Sequence, residues 1–302
     1  MRPRDPTFEV LEVPMPLTQR LARIVGAVLL ASAVLEIADR APSEADTPSC
    51  SLAPTAGTVT RTLGERSYLL HVPVGLTGSS VPLLLSMHGA APEGTGLEAA
   101  AGHEADTGWD ADAAAHGFIV SYPASSATRP AAWNTTQGGP DVSFLRDVVA
   151  DISATWCVDP KRVHAGGHSS GAIMAERLAC DAADVFASVG AYAGASPVLF
   201  GGPCTPSRPI SVGIFQSLLD PLSSLPVGIL NRNEWLARNG CPPMPTTEPG
   251  VLLEASRYGP CEDGVEVVWR VYLLQGHNWP TGADNADIRN RIRALFERNP
   301  LP

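Results

Sequence analysis

The chain has 302 residues, of which 44% are hydrophobic, so it is long enough and apolar enough to bury a full core. Its 31 acidic residues outnumber its 21 lysines and arginines, and the formal net charge is −10 at pH 7. Nucleic-acid binding depends on basic patches, and no basic stripe runs along any segment. The composition therefore argues against a nucleic-acid partner.

An apolar run at residues 24–35 follows Arg20 and Arg23. Its length is typical of the hydrophobic part of a secretory signal and is short of the roughly 20 residues that a transmembrane helix needs. We therefore expect a secreted or extracytoplasmic protein without stable membrane association after signal cleavage; a buried core helix is the alternative. Since the residues before Met15 include three acids, we also consider Met15 as the true start. The predicted division is a signal region at 1–40, a linker at 41–49 and one catalytic domain at 50–302.

Six cysteines follow the predicted linker, and their even number in an exported chain favours three disulfides. Spacing alone leaves their pairing open. Metal ligation is the rival interpretation, but no CxxC or HxxxH spacing occurs among them, so we predict no metal. The cysteines are Cys50, Cys157, Cys180, Cys204, Cys241 and Cys261.

From residue 67 onward, short apolar runs alternate with helix-like stretches, a pattern typical of a mostly parallel sheet with helices on both faces. The predicted strands are 67–72, 82–88, 117–122, 162–166, 187–193, 210–216 and 265–274. The predicted helices are 110–116, 142–156, 170–179, 233–239 and 284–298. Segments rich in Pro and Gly at 196–209 and 222–249 predict long loops. In an α/β protein, the loops at the carboxyl ends of strands are where function concentrates.

Residues 167–171 read Gly-His-Ser-Ser-Gly and match G-x-S-x-G, the nucleophile elbow, which places a serine nucleophile on a sharp turn between a strand and a helix. The pentapeptide alone is a weak signal, and an ordinary strand–loop–helix turn is the alternative. Its context favours the nucleophile, because a predicted strand precedes it and a predicted helix follows it. Ser169 is therefore the candidate nucleophile.

A serine hydroxyl needs a base to take its proton, and the base needs a carboxylate to orient it. His277 is the one histidine after Ser169, and it lies in a loop beyond the last predicted strand. Asp220 follows the predicted strand 210–216 and precedes a proline; Asp263, in a predicted hairpin turn, is a weaker rival. The order serine, aspartate, histidine is that of the α/β-hydrolases. We therefore predict an α/β-hydrolase fold.

An oxyanion hole needs two donors, and we predict that the amides of Ala90 and Ser170 supply them. Ala90 follows the His-Gly that ends the predicted strand 82–88. Trp133 and Trp279 are candidate walls of a substrate-binding cleft, with plain core burial as the alternative. The remaining histidines are interpreted as structural or, for His168, as packing or lining the cleft; they are His71, His88, His103, His116, His164 and His168.

Several segments together resemble the esterase/polyhydroxybutyrate-depolymerase family, which also holds secreted feruloyl and acetylxylan esterases. They are RSYLLHVP at 66–73, LLSMHGAAP at 84–92, HGFIVSYP at 116–123, DVSFLRDVVADI at 141–152, WCVDPKRVHAGGHSSGAIMAERLACD at 156–181 and GHNWP at 276–280. The resemblance runs in order over residues 61–280. It implies a secreted α/β-hydrolase with one domain, whose triad falls on Ser169, Asp220 and His277.

The chain also departs from the family pattern. Ala90 and Ala91 stand where the family usually has further glycines or a cysteine, and Gln216-Ser217 stands where it has His-Gly ahead of its acid. His168 and Ser170 replace the elbow's usual leucine or methionine and alanine or asparagine. These departures bear on the oxyanion loop and on substrate preference.

The resemblance also implies a Cys241–Cys261 disulfide. Beside it, a bond between Cys157 and Cys180 would pin the elbow, and Cys50–Cys204 would follow by elimination.

These observations predict ester hydrolysis through an acyl-enzyme, without metal or organic cofactor. Feruloyl or acetyl esters of plant polysaccharide are the first interpretation of the substrate, a hydroxyalkanoate oligomer is the second, and a peptide is a weaker third. The expected partner is thus a small-molecule or polymeric ester. A catalytically silent hydrolase fold that acts as an exported binding protein is the alternative from another class. A fluorophosphonate probe, which labels reactive serines, would distinguish the two classes.

Overall fold

Strands and helices alternate along the chain in the computed structural model, which describes residues 50–126, 130–247 and 254–302. The strands are β1 (Thr58–Leu63), β2 (Arg66–His71), β3 (Val81–Met87), β4 (Ile119–Pro123), β5 (Val158–His168), β6 (Ser188–Tyr192), β7 (Ser211–Ser217), β8 (Thr246–Thr247), β9 (Glu254–Tyr258) and β10 (Val267–Tyr272). The helices are α1 (Gly96–Thr107), α2 (Trp109–His116), α3 (Pro140–Thr155), α4 (Ser170–Asp181), α5 (Val198–Gly201), α6 (Leu225–Arg238) and α7 (Gly282–Arg298), with a short 3₁₀ turn at Glu262–Gly264. The predicted signal region 1–40 and linker 41–49 lie outside the described residues.

All the described strands join one sheet, in the order β1-β2-β4-β3-β5-β6-β7-β10-β9-β8. The strands from β4 to β10 in that order pair in parallel, and antiparallel pairs add β2 and β1 at one edge and β9 and β8 at the other. Parallel strands point the same way, so their carboxyl ends and the loops that follow them meet along one edge. The mostly parallel sheet of the predicted fold class is confirmed.

Helices cover both faces of the sheet, which explains why the central strands read as almost continuous apolar runs. In β3, Leu83 and Leu85 pack into the core cluster on one face, while Leu84 belongs to the cluster on the other. The first cluster includes residues of α3, α4 and α6, and the second includes residues of α1, α2 and α7. Cys50–Pro302 form one compact unit. Among the described helices, none is long and apolar enough to cross a bilayer.

Each predicted strand corresponds to an observed one, but β1, β8, β9, α1 and α5 were not predicted, and α6 begins at Leu225 inside a segment predicted to be loop. Pro226 lies in the first turn of α6, where a missing N–H costs no helical hydrogen bond. Helix α1 buries only small or polar residues, so its apolar periodicity is weak. Its start is set instead by a capping box between Thr95 and Glu98.

The structure contains three disulfides, Cys50–Cys157, Cys180–Cys204 and Cys241–Cys261. The pairing of Cys241 with Cys261 is the one that the family resemblance implied. The other two predicted pairings, Cys157–Cys180 and Cys50–Cys204, are wrong, because tertiary contacts bring different cysteines together.

The first of these contacts is a parallel β-bridge between Ser51 and Trp156, which brings the segment with Cys50 alongside the segment with Cys157. The second is made by the buried guanidinium of Arg177 on α4, which donates to the carbonyls of Pro197, Gly202 and Pro203 at 2.7–2.9 Å. Arg177 thereby holds the segment that carries Cys204 against the end of α4, where Cys180 lies. Neither contact leaves a periodic pattern in the sequence.

Candidate active site

Ser169 lies at the tip of the turn between β5 and α4, with φ 52° and ψ −117°. This region of backbone conformation is sparsely populated by residues other than glycine and costs about 1–3 kcal/mol. The Ser169 amide donates to the carbonyl of Tyr192 at 2.9 Å, and the Ser169 carbonyl accepts from the amide of Ile173 at 3.1 Å. The turn is therefore held from both sides, and it aims the start of α4 at the space above the serine.

Two glycines of the pentapeptide are required by close approach of the backbone. A Cβ on Gly167 would lie 2.5 Å from the carbonyl oxygen of Gly171, and one on Gly171 would overlap the carbonyl oxygens of Met87 and His88. Real Cβ atoms do not approach so closely. The elbow thus packs directly against the end of β3, from which the loop with Ala90 continues.

The three predicted catalytic residues come together above the carboxyl ends of β5, β7 and β10. His277 Nε2 lies 2.8 Å from Ser169 Oγ, and His277 Nδ1 lies 2.8 Å and 3.0 Å from the two carboxylate oxygens of Asp220. The Asp220 side chain is fully buried. A hydroxyl that can donate to Nε2 and an Nδ1–H that donates to a carboxylate are the arrangement that activation of a serine requires.

The loop that carries Asp220 is held by residues to which the sequence analysis assigned no supporting role. Asp220 Oδ1 accepts from the amides of Leu222 and Ser223, both at 2.8 Å. Gln216, buried at the end of β7, donates through Nε2 to the carbonyl and the hydroxyl of Ser223 at 2.7 Å and 2.8 Å. Gln216 occupies a position where the chain departs from the family pattern, and here it supports the acid loop.

The backbone amides of Ala90 and Ser170 do not donate a hydrogen bond to any described residue. Next to Ala90, Ala91 exchanges two backbone hydrogen bonds with Ala131, at 2.8 Å and 3.0 Å. The loop is pinned by this pair. Backbone amides that face the nucleophile can bind the negative oxygen of a tetrahedral intermediate, and this role of Ala90 and Ser170 stays a prediction.

Trp133 and Trp279 are both largely buried, at 6% and 7% exposure, yet each lines a cleft near Ser169. Trp133 lines a cleft of about 610 Å³ together with Ser169, Ile173 and Phe200. Its indole Nε1 donates to the carbonyl of His88 at 2.9 Å, and its amide donates to Ser170 Oγ at 3.2 Å. It therefore also ties the predicted oxyanion loop, which follows His88, to the elbow.

Trp279 lines a second cleft, of about 520 Å³, whose walls include Ala90, Ala91 and His103. Its Nε1 donates to Asn285 Oδ1 at 3.1 Å. The first cleft includes Ser169 and Ser170 in its lining, and the second includes Ala90 and Ala91. The substrate-binding role of the two tryptophans stays a prediction.

His168, between Gly167 and Ser169, lies in this same region. Its Nε2 lies 2.6 Å from the carbonyl oxygen of His277, and its ring stacks on that of Tyr192 with centroids 5.8 Å apart. Burial lowers the pKa of His168 to about 4, so the ring is neutral near pH 7. Within the described part of the chain, no group of three or more His, Cys, Asp or Glu side chains could hold a metal ion.

Comparison with curated proteins identifies relatives that act on esters. Feruloyl esterase B of Piromyces equi is 29% identical over 228 residues, covering 67% of this chain and 40% of that protein. Poly(3-hydroxyalkanoate) depolymerase C of Paucimonas lemoignei is 31% identical over 148 residues, covering 46% and 32%. The chain therefore spans less than half the length of these two relatives.

Solved structures show the same fold. An acetyl xylan esterase from Aspergillus awamori matches with a TM-score of 0.64 at 18% identity, over 80% of this chain and 99% of that one. A ferulic acid esterase from Anaeromyces mucronatus matches with a TM-score of 0.53 at 18% identity, over 80% and 91%. The predicted α/β-hydrolase fold is confirmed.

The model of the esterase PHB depolymerase family matches residues 66–225, which is more than half of the chain. The matched region contains the elbow, the predicted oxyanion loop and Asp220. The chain belongs to the esterase PHB depolymerase family.

Proposed function

We propose that the protein is a secreted serine esterase that hydrolyses carboxylic esters through an acyl-enzyme on Ser169. The observation that carries this proposal is the unbroken connection from Ser169 Oγ to His277 Nε2 and from His277 Nδ1 to Asp220, with each link at 2.8 Å. Family membership supports the same reaction class.

In the first step, His277 Nε2 takes the proton of Ser169 as Oγ attacks the ester carbonyl carbon. The amides of Ala90 and Ser170 bind the oxyanion, and Asp220 stabilises the imidazolium. Collapse of the intermediate breaks the bond to the alcohol, which leaves with the proton from His277. In the second step, His277 deprotonates a water that attacks the acyl-enzyme; collapse releases the carboxylic acid and returns the proton to Ser169.

Feruloyl or acetyl esters of plant polysaccharide are the substrates that we propose. Relatives named as feruloyl and acetylxylan esterases support this class. The cleft beside Ser169 offers an open wall that includes Trp133 and the exposed ring of Phe200, on which an aromatic acyl group or a sugar could pack.

A secreted or extracytoplasmic location completes the proposal. The apolar run 24–35 after two arginines supports export. Three disulfides in the described residues, with no free cysteine among them, are typical of proteins that fold in an oxidising compartment.

A hydroxyalkanoate oligomer is the second candidate substrate, and a feature of the surface favours it. Leucines near Asp220 and His277 are exposed, among them Leu219, Leu222 and Leu274 at 58%, 76% and 82%. Leu218 donates its amide to the carbonyl of Tyr272, so the segments after β7 and β10 lie side by side. An apolar rim of this kind suits an aliphatic polyester chain better than a sugar.

The test is hydrolysis of methyl ferulate, p-nitrophenyl acetate and a 3-hydroxybutyrate oligomer by the oxidised protein from Cys50 onward. Ser169→Ala is the test variant, and Ser143→Ala, on the exposed surface of α3, is the matched control. We expect the control to keep wild-type rates and Ser169→Ala to lose both turnover and fluorophosphonate labelling. Turnover of ferulate favours the first substrate class, and turnover of the oligomer alone favours the second.

Activity that survives in Ser169→Ala would refute the proposed nucleophile. Folded wild-type protein that neither labels nor hydrolyses any of the three esters would instead support a silent binding protein.

A further inference from the structure

Two side chains hold three consecutive carbonyls of the loop that carries His277. His168 Nε2 lies 2.6 Å from the carbonyl oxygen of His277. The hydroxyl of Tyr192 lies 3.2 Å and 3.3 Å from the carbonyl oxygens of Gly276 and Asn278. His168 and Tyr192 are direct partners in the pairing of β5 with β6, so the two side chains project from the same rung of the sheet.

The chemistry of the contact fixes the state of His168. A carbonyl oxygen only accepts, so Nε2 of His168 must carry the proton and donate it. The other ring nitrogen faces Gly89 so closely that a Cβ there would lie 2.8 Å from Nδ1. The ring of Trp279 lies nearly perpendicular to the rings of both His168 and Tyr192, with centroids 6.4 Å and 5.5 Å away. The imidazole of His168 therefore has little room to turn.

This contact links the predicted base to the predicted nucleophile through one residue. His168 precedes Ser169 in the chain, and its side chain holds the backbone of the residue whose Nε2 lies 2.8 Å from Ser169 Oγ. Asp220 fixes only the far side of the His277 ring, through Nδ1. Gly276 and Asn278, which flank His277 in this loop, are both exposed. Without a hold on its main chain, the ring could pivot about Asp220 and move away from the serine.

We propose that His168, together with Tyr192, is a positioning residue that sets the main chain of His277 at hydrogen-bonding distance from Ser169. This inference rests on the proposed function, since it assigns the placement of the base in that reaction. It also gives a role to one departure from the family pattern, because leucine or methionine at position 168 could not donate this bond.

The experiment compares His168→Leu, which removes the donor, with His168→Gln, whose amide N–H can reach the place of Nε2. Tyr192→Phe removes the second donor and keeps the ring. His164→Leu is the matched control, since His164 is also a buried histidine of β5 but bonds to Ser188, away from the His277 loop. Each variant is assayed for kcat and KM on the ester that the wild type turns over. Amide hydrogen exchange of residues 275–281 is measured in parallel.

For His168→Leu we expect kcat to fall about 10–100-fold with KM changed by less than about threefold, because a displacement of about 1 Å costs up to about 100-fold in rate. We expect His168→Gln to recover most of that loss, and Tyr192→Phe to lose a smaller factor. Exchange in residues 275–281 should accelerate in His168→Leu and not in His168→Gln. His164→Leu should lower stability and leave both kcat and this exchange near wild type.

The exchange measurement separates this inference from the proposed function, because it reads the loop without any substrate. Unchanged exchange in His168→Leu, or a loss of kcat that His168→Gln shares in full, would overturn the positioning role. Activity that survives Ser169→Ala would overturn the proposed nucleophile, while accelerated exchange in His168→Leu would still establish the hold on the loop.

Discussion

At position 169 the backbone conformation and the side chain have opposite requirements. The φ and ψ of Ser169 suit glycine, whereas the proposed chemistry needs a hydroxyl. Gly167 and Gly171 let the turn pack against the end of β3, but they do not relieve the conformation of Ser169 itself. The elbow therefore stores strain at the residue proposed to act as nucleophile.

This strain predicts that Ser169→Gly is more stable than Ser169→Ala. Both variants lack the hydroxyl, but only glycine adopts a positive φ without steric cost, so we expect a difference of about 1 kcal/mol in the free energy of unfolding. Urea denaturation of the two variants measures it. Equal stabilities, or a more stable alanine variant, would show that the turn is not strained at this residue.

Asp220 gives the second prediction at this scale. Asparagine at position 220 keeps the size of the side chain but cannot stabilise the imidazolium, and its amide favours the wrong tautomer of His277. We expect Asp220→Asn to lower kcat about 10³–10⁴-fold while the protein stays folded. Steady-state kinetics, with circular dichroism as the folding check, tests this. A loss below about tenfold would reopen the assignment of the acid.

The meeting of Ser169, Asp220 and His277 could be predicted because each follows a predicted strand and the carboxyl ends of parallel strands lie at one edge. Their supports could not. Tyr192 ends a buried strand and reads as core, and its bonds go to backbone carbonyls, which leave no trace in the sequence. Gln216 likewise reads as a departure from the family pattern, although its amide holds Ser223.

At the scale of elements, apolar periodicity located the central strands and the amphipathic helix α7, because these bury continuous apolar faces. It missed α1, whose buried residues are small or polar, and the start of α6, where a proline resembled a loop signal. Helix α6 packs its buried Asn231 and Trp235 toward α4, where they meet Glu176. Polar contacts of this kind join elements without any period in the sequence.

Glu176 is fully buried and accepts from Asn231 Nδ2 and Trp235 Nε1, both at 2.7 Å. Burial raises the pKa of Glu176 to about 7 from an ordinary value of 4.5. Between about pH 4.5 and pH 7, Glu176 is therefore protonated in the folded protein and ionised in the unfolded chain. Stability from this group is complete below about pH 4.5 and is lost as the pH rises to about 7.

Glu176→Gln removes this titration, so the stability of the wild type relative to the variant should fall by about 3 kcal/mol between pH 4.5 and pH 7. Urea denaturation of both proteins at pH 5 and pH 8 checks the direction. Ser143→Ala, on the exposed surface of α3, changes no titratable group and is the control. A constant difference between wild type and Glu176→Gln would mean that Glu176 stays ionised when buried.

At the scale of the whole molecule, the sheet brings together residues far apart in the chain, and its order decides which loops touch. The disulfides show the limit of local reasoning at this scale. Their pairing depends on two tertiary contacts. One places the segment that begins at Cys50 beside Trp156, and the other binds the segment that carries Cys204 to Arg177. The polar groups that the sheet and helices bury together also set how the whole protein responds to acid.

Four buried histidines contribute to that response above pH 5. Burial lowers the pKa of His164 to about 3 and of His168 to about 4, and it lowers the pKa of His88 and His103 as well. In the unfolded chain these rings take up protons near their ordinary pKa of about 6.5. Because the unfolded state then binds more protons than the folded state, stability is lost as the pH falls below about 6.5.

We therefore expect the free energy of unfolding to fall between pH 7 and pH 5, at up to about 1.4 kcal/mol per pH unit for each histidine. Glu176 opposes this fall, because the folded protein takes up one proton on its carboxylate over the same range. Urea denaturation at pH 7, 6 and 5 measures the slope. This slope should be steeper in Glu176→Gln, and it should be shallower in His164→Leu by the contribution of one histidine. A wild-type protein equally stable at pH 5 and pH 7 would mean that these rings accept protons while folded, and hence that water reaches them in the native state.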